Sequence, residues 1–180
     1  MEIKRDKYLE MLQIRRHNGF IKVITGIRRC GKSYLMNDIF YEKLRQEGVD
    51  ESHIIKFAFD SAEDLLLIGE DLQDLFINKK KVDPKKFMTF ISQRMIDNDM
   101  YYLLLDEVQN LGCFEAVLNG YLRKKNMDVY VTGSNSKFLS SDVLTEFAGR
   151  GDEIHVLPLS FSEFYANYQD GLDYAFDDYM

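Results

Sequence analysis

An α/β fold, built on a mainly parallel sheet of five strands with helices on both faces, is predicted by three features of the sequence. Short apolar runs alternate with amphipathic stretches at helical spacing, the pattern of a parallel sheet whose crossover helices pack on it. The first run passes through a glycine-containing segment into the first amphipathic stretch. A later run, apolar throughout and too short for a typical helix, ends in two acids. Such a run suits a strand buried on both faces.

Residues 21–25 (IKVIT) read as the first strand. Leu35, Met36, Ile39, Phe40 and Leu44 then recur at helical spacing, with Gly48 as a stop. Residues 54–59 (IIKFAF) read as the second strand, and residues 64–77 as a helix with a less regular apolar pattern. Asp83 before Pro84 has the chemistry of an N-cap and first helical residue. Phe87, Phe90, Ile91 and Met95 line one face of the helix that follows. Residues 101–105 (YYLLL) are the third strand. Phe114, Val117, Leu118, Tyr121 and Leu122 repeat the spacing of an amphipathic helix. Residues 128–132 (DVYVT) read as the fourth strand, 138–147 as a helix and 152–157 (DEIHVL) as the fifth strand. Ser160 and Glu163 stand at capping-box spacing and start a last helix.

At 180 residues the chain fits one domain, 1–180, large enough to bury a core without disulfides or metals. A composition of 46% apolar and 29% charged residues is that of a folded soluble protein and excludes wholesale disorder. No apolar run approaches the ~18 residues that span a bilayer, so no membrane partner is expected. The start, MEIKRDKYLE, lacks the apolar core of a secretory signal. Cys30 and Cys113 show no metal-ligand spacing, and a secreted disulfide framework is not expected. The expectation is a cytoplasmic location. A formal charge of −7 repels nucleic acid at long range. Lys79, Lys80, Lys81, Lys85 and Lys86 form the one basic cluster, readable as a solvated loop before a helix or as a local nucleic-acid contact. The final DYAFDDYM keeps aromatic residues and has no polar tail, as expected of a fragment that continues into a further domain.

Between the first strand and the first helix stands Gly26-Ile27-Arg28-Arg29-Cys30-Gly31-Lys32-Ser33, which satisfies G-x-x-x-x-G-K-[ST] at every defined position. With glycine at about 7% of residues, a chance match in a chain of this length has a probability on the order of one per cent. Gly26 and Gly31 allow backbone conformations that side chains obstruct, so that successive N–H groups converge on phosphate oxygens. The helix that follows offers unpaired N–H groups and a positive dipole end to the same anion. The backbone from Gly26 through Ile27, Arg28, Arg29, Cys30, Gly31, Lys32 and Ser33 to Tyr34 is therefore a candidate nucleotide cradle. Lys32 is placed to reach the β- and γ-phosphates, and the Ser33 hydroxyl to ligate magnesium. Arg28 and Arg29 either neutralise phosphate charge or face solvent, and Cys30 serves as a small residue in a tight loop.

The acids that end the third strand, Asp106 and Glu107, stand at the sheet edge where α/β folds bind ligands. Asp106 is suited to hold the magnesium through a coordinated water. Glu107, one residue further, is suited to orient and deprotonate an attacking water. The fourth strand ends in Thr132-Gly133-Ser134-Asn135-Ser136, where Asn135 or Ser134 either senses the γ-phosphate or caps a helix. Arg150, in Ala148-Gly149-Arg150-Gly151, either stabilises transition-state charge, from within the chain or from a neighbouring subunit, or is a surface arginine in a glycine turn.

Four segments, ITGIRRCGKS, LLLDEVQ, VTGSNS and FAGRGDEIHVLPLSFSEF, together resemble the AAA-type family of bacterial and archaeal ATP-binding proteins, related to the archaeal ATPases. The last segment is the most family-specific. The resemblance implies a three-layer P-loop nucleoside-triphosphatase fold with sheet order 5-1-4-3-2 and an extra strand between the loop strand and the metal-site strand. It also implies ATP and Mg²⁺ as ligands, the loop and acid segments as Walker A and Walker B motifs, a catalytic glutamate, and a C-terminal domain that this sequence does not contain.

The expected activity is Mg-dependent ATP hydrolysis that drives a conformational change in an attached domain or partner. Three alternatives share the loop. A small-molecule kinase needs an acceptor pocket and an arginine-bearing lid, and Arg28, Arg29 and Arg150 form no recognisable one. A GTP-driven switch needs an acid after Asn-Lys-x, which Asn78-Lys79-Lys80-Lys81 lacks. A regulatory module that closes on ATP and hydrolyses it slowly has the same residues as the ATPase.

Overall fold

Ile21–Thr25 (β1), Ile54–Ala58 (β2), Tyr101–Asp106 (β3), Met127–Thr132 (β4) and Gly151–His155 (β5) form one sheet in the order β2-β3-β4-β1-β5. Every neighbouring pair is parallel. This computed structural model describes residues 4–133, 147 and 149–165. The order is the one expected from the resemblance, read from the other edge, and β4 is the extra strand between the loop strand β1 and the metal-site strand β3.

The strands have the apolar composition that burial on two faces requires: β1, β3 and β4 are buried at every position. Successive side chains point to opposite faces, and two apolar clusters result. Ile24, Leu104, Tyr130 and Ile154 face one side, with Tyr8 and Leu12 of the helix Asp6–Ile14 (α1). The same side receives Leu35, Met36, Phe40 and Leu44 of α2, which runs Lys32–Tyr34, winds wider as a π-helix over Leu35–Phe40 and closes over Tyr41–Gln46. Val23, Phe57, Leu103, Leu105, Val129 and Val131 face the other side. They pack on Leu65 of Ala62–Leu67 (α3), Phe87, Phe90 and Ile91 of Pro84–Arg94 (α4), and Phe114, Val117, Leu118 and Tyr121 of Phe114–Tyr121 (α5). Phe161–Tyr165 (α6) follows β5.

Local chemistry sets the ends. Asp83 accepts the Lys85 amide at 2.8 Å with Pro84 at the first position of α4. Ser160 Oγ accepts the Glu163 amide at 3.3 Å while Glu163 Oε2 accepts the Ser160 amide at 2.9 Å, a reciprocal capping box. Gly48 stands in the left-handed region after α2.

The structure departs from the sequence reading in three places. The continuous helix expected over 64–77 breaks at Gly69, whose φ of 74° ends the first piece, and a separate π-turn covers Gln73–Ile77. Helix α1 is a further element, its charged sequence carrying only two buried anchors, Tyr8 and Leu12, four residues apart. β5 closes at His155, two residues earlier than expected. The helix expected over 138–147 lies outside the described residues except for Phe147, which is fully buried. Among the described residues no helix is long and apolar enough to cross a membrane.

One buried charge lies far from the carboxyl ends of the strands. Lys22 is inaccessible to solvent, paired with Asp128 and donating to the Phe20 carbonyl at 3.0 Å. Asp128 also accepts the Tyr130 hydroxyl at 2.9 Å and the His17 amide at 3.1 Å. Burial pushes the Lys22 ammonium below the ordinary lysine value despite the pull of Asp128.

Candidate active site

Parallel register brings the carboxyl ends of all five strands to one rim. Ile24 pairs with Thr132 and with Ile154, and Ala58 with Asp106. The loop after β1 therefore faces the acids after β3, with the end of β4 between them.

In the loop, the backbone needs what only glycine supplies at two positions. Gly26 has φ 142°, and a Cβ there would meet the Val156 carbonyl oxygen at 2.2 Å and Cys30 Sγ at 2.8 Å. Gly31 stands at φ 93°, immediately before α2. Between them, Arg29 takes a left-handed φ of 68° and the Cys30 amide returns to the Ile27 carbonyl at 3.3 Å, closing a turn. The first amides of α2 have no partner within the helix, which leaves an anion seat at its start. The Lys32 side chain is buried and folds back over the loop, its ammonium donating to the carbonyls of Gly26 at 3.0 Å and Ile27 at 3.1 Å. Ser33 is exposed, as are Ile27, Arg28 and Arg29, while Cys30 is buried. Tyr34 is 41% exposed and borders a cavity of about 240 Å³ shared with Leu9, Asp38 and Ile39.

Across the rim, Asp106 is buried and its Oδ1 accepts the Thr132 hydroxyl. That hydroxyl in turn accepts the Glu107 amide at 3.1 Å, so Thr132 holds both acids in place. Glu107 has φ 53°, a left-handed conformation costly for a residue with a long side chain. That conformation turns it out of the strand direction, half-buried, with its carboxylate accepting from the Gln109 side-chain Nε2. Asp60, just beyond β2, joins the group. Loss of surrounding water, then the charges of Asp106 and Glu107, push its carboxyl above the ordinary aspartate value. A divalent cation fits this donor set. Asp106 Oδ2 has no partner among the described residues, the Ser33 hydroxyl is accessible, and hard oxygen donors suit magnesium.

The structure thus brings together Gly26 to Tyr34, Asp106 and Glu107. Arg150 is exposed beside the amino end of β1, where its carbonyl accepts the Ile21 amide at 2.9 Å, so it stands at the opposite end of that strand from the loop. Ser134 and Asn135 lie outside the described residues. Sequence reasoning passed over Thr132, Gln109 and Asp60. Asp60 carries the same signal that singled out Asp106, an acid closing an apolar run, and the other two sit inside segments already recognised as informative. The lysine cluster is largely engaged. Lys80 pairs with Asp74 at 2.8 Å, Lys86 with Glu70 at 3.0 Å, and Lys81 donates to the Gln109 carbonyl at 2.7 Å.

Comparisons with known proteins bear on the family and the fold. A family profile described as an AAA domain matches residues 18–165. An uncharacterized protein of Haemophilus influenzae is 34% identical over 163 residues, covering 90% of this chain and 37% of that protein. The chain therefore spans little more than a third of that relative's length. Among solved structures, Caenorhabditis elegans PCH-2 superposes with a TM-score of 0.57 at 15% identity, over 89% of this chain and 43% of that one. The Aeropyrum pernix ORC1 protein, solved in complex with DNA, gives 0.56 at 11% identity over 99% and 50%. At these identities the two superpositions speak for the fold.

Proposed function

Because the chain belongs to the AAA domain family, we propose that it binds ATP with magnesium and hydrolyses it, and that hydrolysis drives a conformational change in an attached domain or partner. One observation carries the reading: the glycine loop with its lysine and the Thr132-linked pair Asp106 and Glu107 converge on one rim of a parallel sheet. The amides of residues 26–34 would cradle the phosphates, and Lys32 would exchange its two carbonyl partners for phosphate oxygens. Tyr34 and Leu9 offer a wall for the base. Ser33 and Asp106 would hold magnesium, which supplies charge neutralisation at the phosphate oxygens.

Glu107 is the base in this reading. Its strained backbone and the Gln109 contact fix the carboxylate, so that it can accept a proton from water as that water attacks the terminal phosphorus. No acid follows Asn78-Lys79-Lys80 to hold a guanine, which favours ATP over GTP. Arg150, exposed beside the amino end of β1, would act on nucleotide only in a neighbouring subunit. The test is Glu107→Gln. Mg-ATP affinity should stay within about twofold while phosphate release falls by about 10²-fold or more. Unchanged turnover would remove Glu107 from the chemistry, and absence of Mg-ATP binding in folded wild-type protein would end the whole reading.

A further inference from the structure

We propose that Arg5 is a positioning residue of the phosphate site, fixing the direction of one loop amide and tying the loop to the chain beyond β5. This rests on the nucleotide reading above. Arg5 precedes α1 and is only 5% exposed, and nothing in its local sequence marks it. Its guanidinium donates through Nη1 to the Cys30 carbonyl at 3.2 Å and through Nη2 to the Leu157 carbonyl at 2.7 Å. Nε lies 3.0 Å from Glu163 Oε1, an ion pair without hydrogen-bond alignment. The plane packs over Tyr8, 4.6 Å from the ring centroid, and the Tyr8 hydroxyl accepts the Leu157 amide at 3.1 Å.

The geometry acts through peptide planarity. In a trans peptide the carbonyl and the following N–H point in opposite directions. Holding the Cys30 carbonyl on Arg5 therefore turns the Gly31 N–H the other way, away from α1. Gly31, with φ 93°, has the backbone freedom to lose that orientation if the carbonyl is released. Anchoring costs the site no binding group, because the carbonyl is the one dipole of that peptide that a phosphate would repel.

The other two contacts make the anchor a connection. Glu163 spends Oε1 on Arg5 and Oε2 on the capping box that starts α6. A displacement of the loop at Cys30 must therefore be shared by Leu157 and by the start of α6, segments far away in sequence. A planar fork can donate to two carbonyls and face a carboxylate at once, whereas a lysine ammonium is a compact point charge that cannot reproduce that arrangement.

The experiment measures ADP and adenosine affinities of the full chain by calorimetry, with magnesium, for wild type, Arg5→Lys and Arg5→Ala. Amide hydrogen exchange over 26–33 and 157–163 is followed with and without ADP. Expected is a loss of about tenfold or more in ADP affinity for Arg5→Ala, with adenosine affinity unchanged and ADP-dependent protection at 157–163 abolished. Arg5→Lys, which keeps the charge and the fold, should show an intermediate loss of the same kind. Equal losses for ADP and adenosine would mean a merely structural role and overturn the proposal, as would wild-type ADP affinity in either folded variant. If Arg5→Ala does not fold, Arg5→Lys alone decides between these outcomes. Wild-type protein that binds no Mg-nucleotide would instead sink the parent reading.

Discussion

Thr132 shows how one side chain sets the chemistry of two others. Its hydroxyl donates a hydrogen bond to Asp106 and accepts one from the Glu107 amide, so a single oxygen fixes both acids. Asp60 adds a third carboxyl, held above the ordinary aspartate value by lost hydration and by the charges of Asp106 and Glu107. A group whose pKa is raised keeps its proton longer as pH rises, and a nearby divalent cation favours releasing it. Mg²⁺ affinity should therefore climb with pH through the acid range up to the point where Asp60 ionises. Asp60→Asn should flatten that climb; titrations of Mg²⁺ at several pH values check it, and an identical slope in the variant contradicts it. At this scale the sequence was legible wherever a residue type and its spacing name a chemistry, as for Gly26, Lys32 and Asp106. Arg5 was not, because its partners lie 25 and 152 residues away and no local pattern encodes them.

Among the elements, strands were read more easily than helices. An apolar run of five or six residues that must be covered on both faces has little freedom to be anything else, and the observed ends shift by only one or two residues. Helix α1 has only two buried anchors in a charged sequence and the break at Gly69 turns on a single φ, so neither shows as a sustained period. β1 also hides an exception to its own pattern, since Lys22, its second residue, sits at full burial. Its tolerance depends on β4 delivering Asp128 alongside. Removing that partner leaves an uncompensated buried charge, and Asp128→Ala should lower unfolding free energy by about 3–5 kcal/mol. Replacing both Lys22 and Asp128 with well-packed apolar residues should recover most of the loss. Denaturant titrations of the single and double variants measure both, and equal destabilisation in the two would refute the pairing argument.

The whole molecule carries a net charge of −7, and two of the five lysines of its one basic cluster, Lys80 and Lys86, are paired with its own acids. Duplex DNA should therefore bind this chain more weakly than about 10⁻⁴ M at physiological salt, the weak limit of nonspecific association. Fluorescence anisotropy of a labelled duplex tests this, and a micromolar, salt-sensitive affinity would count against it. The sheet order, by contrast, came from the resemblance: burial periods identify strands but do not say which lies beside which. All strands run the same way, so the phosphate loop and acids share one rim, while the paired lysine and aspartate near the starts of β1 and β4 occupy the opposite one. Robustness and catalysis are thereby housed at separate addresses. Laboratory evolution can harden the far rim without stiffening the groups that must yield to a ligand, and the usual antagonism between thermal tolerance and turnover should be milder there than beside the loop.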